Sequence, residues 1–276
     1  MNADPRLLDL ARQPEQDWDL GYGALLIAAA EYPELDVDFY RARLDQLGFK
    51  AASRMPDTDD WAEKLSAFKD FLFQEEGFQG NDGDDFDPKN SYLNDVLDGR
   101  TGIPISLALV MMEVGRRVGL DFQGVSFPGH FLVKLAVPGG EVVIDPFHGG
   151  LALSIEQLEA RLREMYPDPP RPDLAKALGT ADKREILCRM LRNLKRHYLQ
   201  EEADDKALGV MNQLLVLDPD NLAEQRERGE HYLRMEAYRA ALADLSHCLE
   251  QAGIDDDIET LRMHVSDLRM RVARLN

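Results

Sequence analysis

The chain has 276 residues, enough for one large or two ordinary domains, and it carries a formal net charge of −19. Such a charge repels nucleic-acid phosphates and anionic lipid surfaces, so we expect neither as a partner. The apolar fraction of 44% excludes a wholly disordered chain. Two cysteines without a disulfide framework, and a start without a signal pattern, predict a cytoplasmic location with no membrane association.

Helices are predicted for the first 75 residues. In DFYRARLDQLG, the apolar residues Phe39, Leu44 and Leu47 recur at helical spacing, and Gly48 marks the stop. The segment 57–77, DTDDWAEKLSAFKDFLFQEEG, begins with acidic residues and then places apolar residues on one side of a helix. This half of the first domain is therefore expected to be helical.

Two further helices are predicted before residue 120. Asp87 and Pro88 suit a helix start, as N-cap and first residue. A longer helix runs from Pro104 to about Val118 and is apolar nearly all round. Such a helix is typical of a buried position.

A strand, DFQGVSF, is followed by FPGHFLVKLAVPGGEVVIDPFHGG, which is typical of two strands around a Pro-Gly-Gly turn. We place the centre of this turn between Pro138 and Gly139. In that register Asp145 faces Leu132, and His130 lies two residues away on the same face. His130 and Asp145 then become diagonal neighbours within side-chain reach, whereas a slip of one residue would separate them. The pair could be the base and orienter of a catalytic site, or a structural hydrogen bond.

The second half of the chain contains a helix capped by Ser154, then a Pro-rich stretch, then repeats. RHYLQEEADDKALGVMNQLL begins at Arg196, and EHYLRMEAYRAALADLSHCL begins 34 residues later at Glu230. This is the period of tetratricopeptide repeats. Two repeats and a final helix, from about Ile258 to Leu275, make a short array.

Several blocks between Gly77 and Gly150 resemble one bacterial family: GFQGN, DPKNSYLNDVLDGRTGIPISLALVMMEVGRRVGL, FPGHFLVKL and VVIDPFHGG. That family has a transglutaminase-like core followed by tetratricopeptide repeats, and it carries a label as an invasion-gene regulator. The resemblance implies a papain-like fold with a helix packed against an antiparallel sheet. His130 and Asp145 match the family's catalytic His and Asp.

The resemblance also implies a catalytic Cys near Pro104, Ile105 or Ser106, where this chain has none. A degenerate cleft that binds a peptide or protein is the first interpretation. A Ser106/His130/Asp145 triad is the second, with the serine depending wholly on His130 as general base. The competing role for Ser106 is a buried helix serine bonded to backbone.

Two further possibilities carry less weight. Cys188 or Cys248 could supply the thiol, but both lie in helices beyond the Pro-rich stretch, where buried cysteines are ordinary. His148 could complete a metal site with His130 and Asp145, but no fourth ligand is apparent. We therefore expect no metal and no cofactor.

The sequence thus predicts an α+β, papain-like and transglutaminase-like domain followed by an all-α repeat domain. The predicted boundaries are 1–165 for the first domain, 166–185 for a Pro-rich linker and 186–276 for the repeats. We expect a scaffold or regulator, without a functional nucleophile, that binds a protein or peptide; the alternative is a Ser-based amide hydrolase or acyltransferase. The candidate site consists of His130, Asp145 and Ser106, with Asn90, Ser91, Asn94, Pro104 and His148 lining the cleft.

Overall fold

The computed structural model describes residues 4–81, 83, 87–251 and 258–274. The chain divides into two compact units: the core unit, Arg12–Met190, and the repeat unit, which combines Met1–Ala11 with Leu191–Asn276. The boundary between the units therefore falls within a helix.

The structure contains helices throughout and strands only in the core unit, as far as the described residues go. The helices are α1 (Pro5–Ala11), α2 (Leu20–Glu31), α3 (Val37–Ala52), α4 (Trp61–Lys69), α5 (Leu93–Gly99), α6 (Pro104–Arg117), α7 (Ile155–Met165), α8 (Leu174–Ala177), α9 (Lys183–Gln200), α10 (Asp204–Leu217), α11 (Leu222–Arg234), α12 (Tyr238–Gln251) and α13 (Ile258–Arg274). The strands are β1 (Gln79–Gly80), β2 (Thr101–Gly102), β3 (Phe122–Val125), β4 (Leu132–Val137), β5 (Gly140–Asp145) and β6 (Leu151–Leu153).

The core unit is built around a four-stranded antiparallel sheet of order β3-β4-β5-β6. The predicted hairpin register is confirmed, because Val133 pairs with Ile144 and Val137 pairs with Gly140 across the turn. The apolar helix α6 packs against β3 and β4. The opposite face, which includes Leu132, packs against α7 and α8. The α+β architecture is therefore confirmed, with a buried helix against the sheet.

Side-chain caps explain where several of the helices begin. Asp36 and Asp60 cap α3 and α4 by accepting hydrogen bonds from backbone amides, and Ser154 caps α7 as predicted. Asp87 caps only a single 3-10 turn, and the α-helix follows at Leu93.

The predicted stop at Gly48 is wrong, because α3 continues to Ala52. A Cβ at Gly48 would lie 2.6 Å from the Cβ and Cδ of Arg117 on α6. Glycine here permits the close approach of two helices rather than ending one.

The stretch 166–185, predicted as a linker, packs within the core unit. Ala177 of α8 is buried in the apolar cluster on one face of the sheet, and Leu174 and Leu178 pack against that cluster. Ala181 then donates a backbone hydrogen bond of 2.9 Å to Gly124 of β3. The core unit therefore extends to Met190, beyond the linker that the Pro-rich composition predicts at 166–185.

The repeat unit contains the two predicted helical repeats. α11 packs against α12, α12 packs against α13, and α1 packs against α10. Apolar residues of α12 and α13 form a buried cluster that includes Leu245 and Leu268. None of the described helices is both long enough and apolar enough to cross a membrane.

Candidate functional site

The hairpin brings His130 and Asp145 together as its register requires. His130 Nε2 lies 2.8 Å from Asp145 Oδ1, with the His130 side chain 17% exposed and the Asp145 side chain 0% exposed. Because an ionised carboxylate only accepts hydrogen bonds, the imidazole carries its proton on Nε2 and donates. This contact has the geometry of the hydrogen bond between a base and its orienter in hydrolase triads.

The turn before β4 holds His130 in place. Gly129 adopts a φ of +70°, and the backbone amide of His130 donates to Phe127 O at 3.1 Å. The guanidinium of Arg189 donates to the carbonyls of Phe127 and His130 at 3.2 and 2.6 Å. Hydrogen bonds within the turn and from Arg189 therefore hold the backbone that carries the imidazole.

Asp145 is the centre of the site because four groups donate to its carboxylate. His130 and the amide of Phe147 donate to Oδ1, at 2.8 and 3.2 Å. His148 Nδ1 and Arg161 Nη1 donate to Oδ2, each at 2.9 Å. Burial by itself would raise the pKa of Asp145, but the hydrogen bonds and charge of His130, with the bonds from His148 and Arg161, hold that pKa well below its usual value. The carboxylate therefore stays ionised at neutral pH.

Ser106 is committed to the backbone at the start of α6. Its side chain is fully buried, at 0% exposure. The hydroxyl donates to Asn90 O at 2.6 Å, lies 3.1 Å from Ile103 O, and accepts from Ile103 N at 3.0 Å. Ile103 is the N-cap residue, and Ser106, the third residue of α6, accepts from the backbone amide of Ile103 as the third residue of a capping box does. The sequence predicts Ser106 as one of three catalytic residues. In the structure its hydroxyl is instead used in hydrogen bonds to the backbone at the start of α6.

His130 has no nucleophile bonded to it among the described residues. With Nε2 bonded to Asp145, a nucleophile would have to meet Nδ1, and no described group hydrogen-bonds to that atom. Cys188 and Cys248 are both buried in helices, and Cys248 lies in the repeat unit. Burial raises the pKa of the Cys248 thiol, which is the opposite of what a nucleophile needs.

The predicted cleft residues have different environments. Asn90, Ser91 and Asn94 are buried, and no described group is bonded to Ser91 Oγ or Asn94 Oδ1. Pro104, the first residue of α6, is partly exposed. The His148 side chain is 52% exposed and joins the site through Asp145.

Sequence reasoning missed Arg161 and Arg189. Both reach the site from helices far along the chain, α7 and α9, and no local motif marks either residue. A separate cavity of about 450 Å³, lined by Trp18, Glu113 and Lys183 among others, does not include the His130–Asp145 pair.

Comparison with known proteins agrees with this architecture. The model of the transglutaminase-like superfamily matches residues 38–192, more than half of the chain. The chain belongs to the transglutaminase-like superfamily. A tetratricopeptide-repeat model matches residues 194–266, so the predicted combination of a transglutaminase-like core and repeats is confirmed.

Curated relatives of this transglutaminase-like protein share both regions. A UPF0162 protein of Xylella fastidiosa (strain Temecula1) is 38% identical over 262 residues, covering 94% of this chain and 93% of the relative. Protein SirB1 of Salmonella typhimurium (strain LT2) is 29% identical and covers 82% of each chain. Among solved structures, menin gives a TM-score of 0.42 at 12% identity, covering 94% of this chain and 73% of menin. The family models and the curated relatives confirm, at the level of the family, the resemblance noted from the sequence.

Proposed function

We propose that this protein is a non-catalytic binding protein that recognises a protein or peptide through its transglutaminase-like core and its repeats. The observation that carries the proposal is the state of the Ser106 hydroxyl, which is buried and bonded to Asn90 and Ile103. A serine nucleophile has to be exposed and bonded to its base. The core then retains the His–Asp pair of a hydrolase without the group that would attack a substrate.

Freeing the Ser106 hydroxyl for attack would be costly. The side chain would have to give up a 2.6 Å hydrogen bond to Asn90 O and leave the start of α6. Each net hydrogen bond contributes on the order of 1 kcal/mol. No compensating bond is available from the apolar N-cap residue, Ile103.

The repeat region supports a binding role for the protein. Tetratricopeptide arrays stack helices into extended surfaces, and such surfaces typically bind other proteins. The net charge of −19 favours a partner with a basic segment. Regulation through such a partner fits the proposal.

The enzyme alternative is favoured by one observation, the 2.8 Å contact between His130 and Asp145. In that alternative the Ser106 oxygen attacks the carbonyl carbon of an amide or ester while His130 takes the hydroxyl proton and Asp145 orients the imidazole. His130 then gives this proton to the departing amine or alcohol as the carbonyl–nitrogen or carbonyl–oxygen bond breaks, and water hydrolyses the acyl-enzyme. This reaction requires α6 to open at its first turn, because Ser106 is otherwise inaccessible.

Steady-state turnover separates the two functions. The full chain, its His130→Ala variant and a matched His247→Ala control are assayed against a panel of amide and ester substrates. His247 is an exposed histidine of α12, outside the core unit. The proposal predicts that none of the three proteins turns over a substrate faster than a buffer blank does. Turnover by the wild type and the control that His130→Ala abolishes would establish the alternative.

Binding is tested by reconstitution. A protein captured by the full chain is purified and titrated back, and amide hydrogen exchange of the complex locates the contact. The proposal predicts saturable binding that protects amides in the core unit, the repeat unit or both. A captured protein that binds without saturation, or protects no amide of this chain, would contradict it.

A further inference from the structure

Three side chains of the core unit bring potential metal-ligand atoms close together. His130 Nε2, a carboxylate oxygen of Asp145 and a ring nitrogen of His148 all lie within 4.8 Å of one another. His130 Nε2 lies 2.8 Å from Asp145 Oδ1, and His148 Nδ1 lies 2.9 Å from Asp145 Oδ2. Two imidazoles and one carboxylate are the donor set that late first-row divalent cations prefer.

The two nitrogen–oxygen distances are close to those of a coordination sphere, and the nitrogens of the two imidazoles lie within 4.8 Å of each other. Zinc binds imidazole nitrogen and carboxylate oxygen at about 2.0–2.2 Å, so two ligands of a tetrahedral site lie roughly 3.3 Å apart. The observed nitrogen–oxygen distances of 2.8 and 2.9 Å need to lengthen only slightly. The ring of His148 is 52% exposed and can make this adjustment, whereas Asp145 is fully buried and stays fixed.

A neutral imidazole can bind a metal ion without a net loss of protons. In the present arrangement each ring donates a hydrogen bond to the carboxylate from the nitrogen that faces it. A neutral imidazole can move the proton of that bond to its other nitrogen and turn its lone pair toward a cation. For His130 the other nitrogen is Nδ1, to which no described group is bonded.

The groups behind the carboxylate would orient it for a metal. Arg161 donates to Oδ2 at 2.9 Å, and the amide of Phe147 donates to Oδ1 at 3.2 Å. Metal-ligating carboxylates are commonly held by hydrogen bonds of this kind. The positive charge of Arg161 repels a cation, so the affinity should be moderate rather than that of a structural zinc site.

We propose that His130, Asp145 and His148 bind one Zn²⁺ ion per chain, with a coordination position open toward solvent beside His148. Three protein ligands and an open position distinguish such a site from a closed structural one. The open position would accept water or a donor group from a bound partner. The proposal does not depend on the binding function proposed above.

The test is calorimetric titration of the full chain with ZnCl₂ after dialysis against EDTA. We expect one site per chain with a dissociation constant on the order of 1 μM. His148→Ala should weaken binding at least tenfold, and His130→Ala should do the same. The matched control His247→Ala, at an exposed histidine of α12, should titrate as the wild type does. Because His148 is half exposed, its variant is expected to fold, and circular dichroism verifies this.

Cobalt provides a second readout, because its visible absorption reports coordination and does not change when the ion is merely attracted by the negative charge of the chain. Co²⁺ bound by two imidazoles and a carboxylate should give visible absorption bands that saturate at one equivalent, and His148→Ala should lose them. Titration with no saturable site, or with the same affinity in His148→Ala and the wild type, would overturn the proposal. Either result would assign the cluster to hydrogen bonding alone.

Discussion

Replacing Ser106 by alanine tests the structural role of this side chain quantitatively. The change removes a 2.6 Å hydrogen bond to Asn90 O and a 3.0 Å bond from Ile103 N. Ile103 N still donates to Asn90 O at 3.2 Å, so no backbone group loses every partner. The cost is therefore that of two net hydrogen bonds, about 1–2 kcal/mol in the free energy of unfolding.

Differential scanning calorimetry measures this cost. For a unit the size of Arg12–Met190, about 1.5 kcal/mol corresponds to a fall in melting temperature of roughly 3–6 °C. Ser66→Ala on the exposed face of α4 is the matched control and should leave the melting temperature unchanged or slightly raised. A Ser106→Ala variant as stable as the wild type would refute the reasoning, because the hydroxyl would then be free of its helix.

Three further predictions concern stability. Asp145→Asn should lower the free energy of unfolding by about 3 kcal/mol at pH 7, because it removes the buried negative charge that His130 and Arg161 contact. Since the folded pKa of Asp145 is lowered, this contribution is full above the unfolded pKa near 4 and is lost as pH falls through the folded value; urea titrations of wild type and variant should therefore converge in acid, and divergence would contradict the assignment. Gly48→Ala should lower the free energy of unfolding by about 1–2 kcal/mol in thermal melting, because its Cβ would lie 2.6 Å from side-chain carbons of Arg117 on α6. The control Gly99→Ala has open space around its Cβ and should be neutral or stabilising, so equal effects of the two variants would contradict the packing explanation. Lys195→Ala should lower the free energy of unfolding of the repeat unit by about 3 kcal/mol in urea, because it leaves the buried Glu224 with one ion pair fewer. A change below about 0.5 kcal/mol would show that the Lys195–Glu224 pair is solvated.

The sequence predicts the fold where a local pattern decides the structure. The Pro-Gly-Gly turn specifies the hairpin register, and this register brings His130 to Asp145. The 34-residue spacing likewise predicts the repeats. In both cases the determining interactions lie close together in the chain.

Other features depend on contacts between distant parts of the chain. The bond from Arg161 to Asp145 requires the position of α7 relative to the sheet, which no motif reveals. The stretch 166–185 has the composition of a linker, but Ala177 finds an apolar cluster to join. For Ser106, the family resemblance identifies the position, but only the structure shows that its hydroxyl is bonded to Asn90 O.

Labelling with a serine-reactive fluorophosphonate tests the central claim most directly. The reagent modifies a serine only when its hydroxyl is exposed and activated by a base. Intact-mass and peptide mass spectrometry of the full chain should show no adduct at Ser106, in the wild type or in His130→Ala. An adduct at Ser106 in the wild type that disappears in His130→Ala would contradict the account and establish a working Ser106/His130 pair.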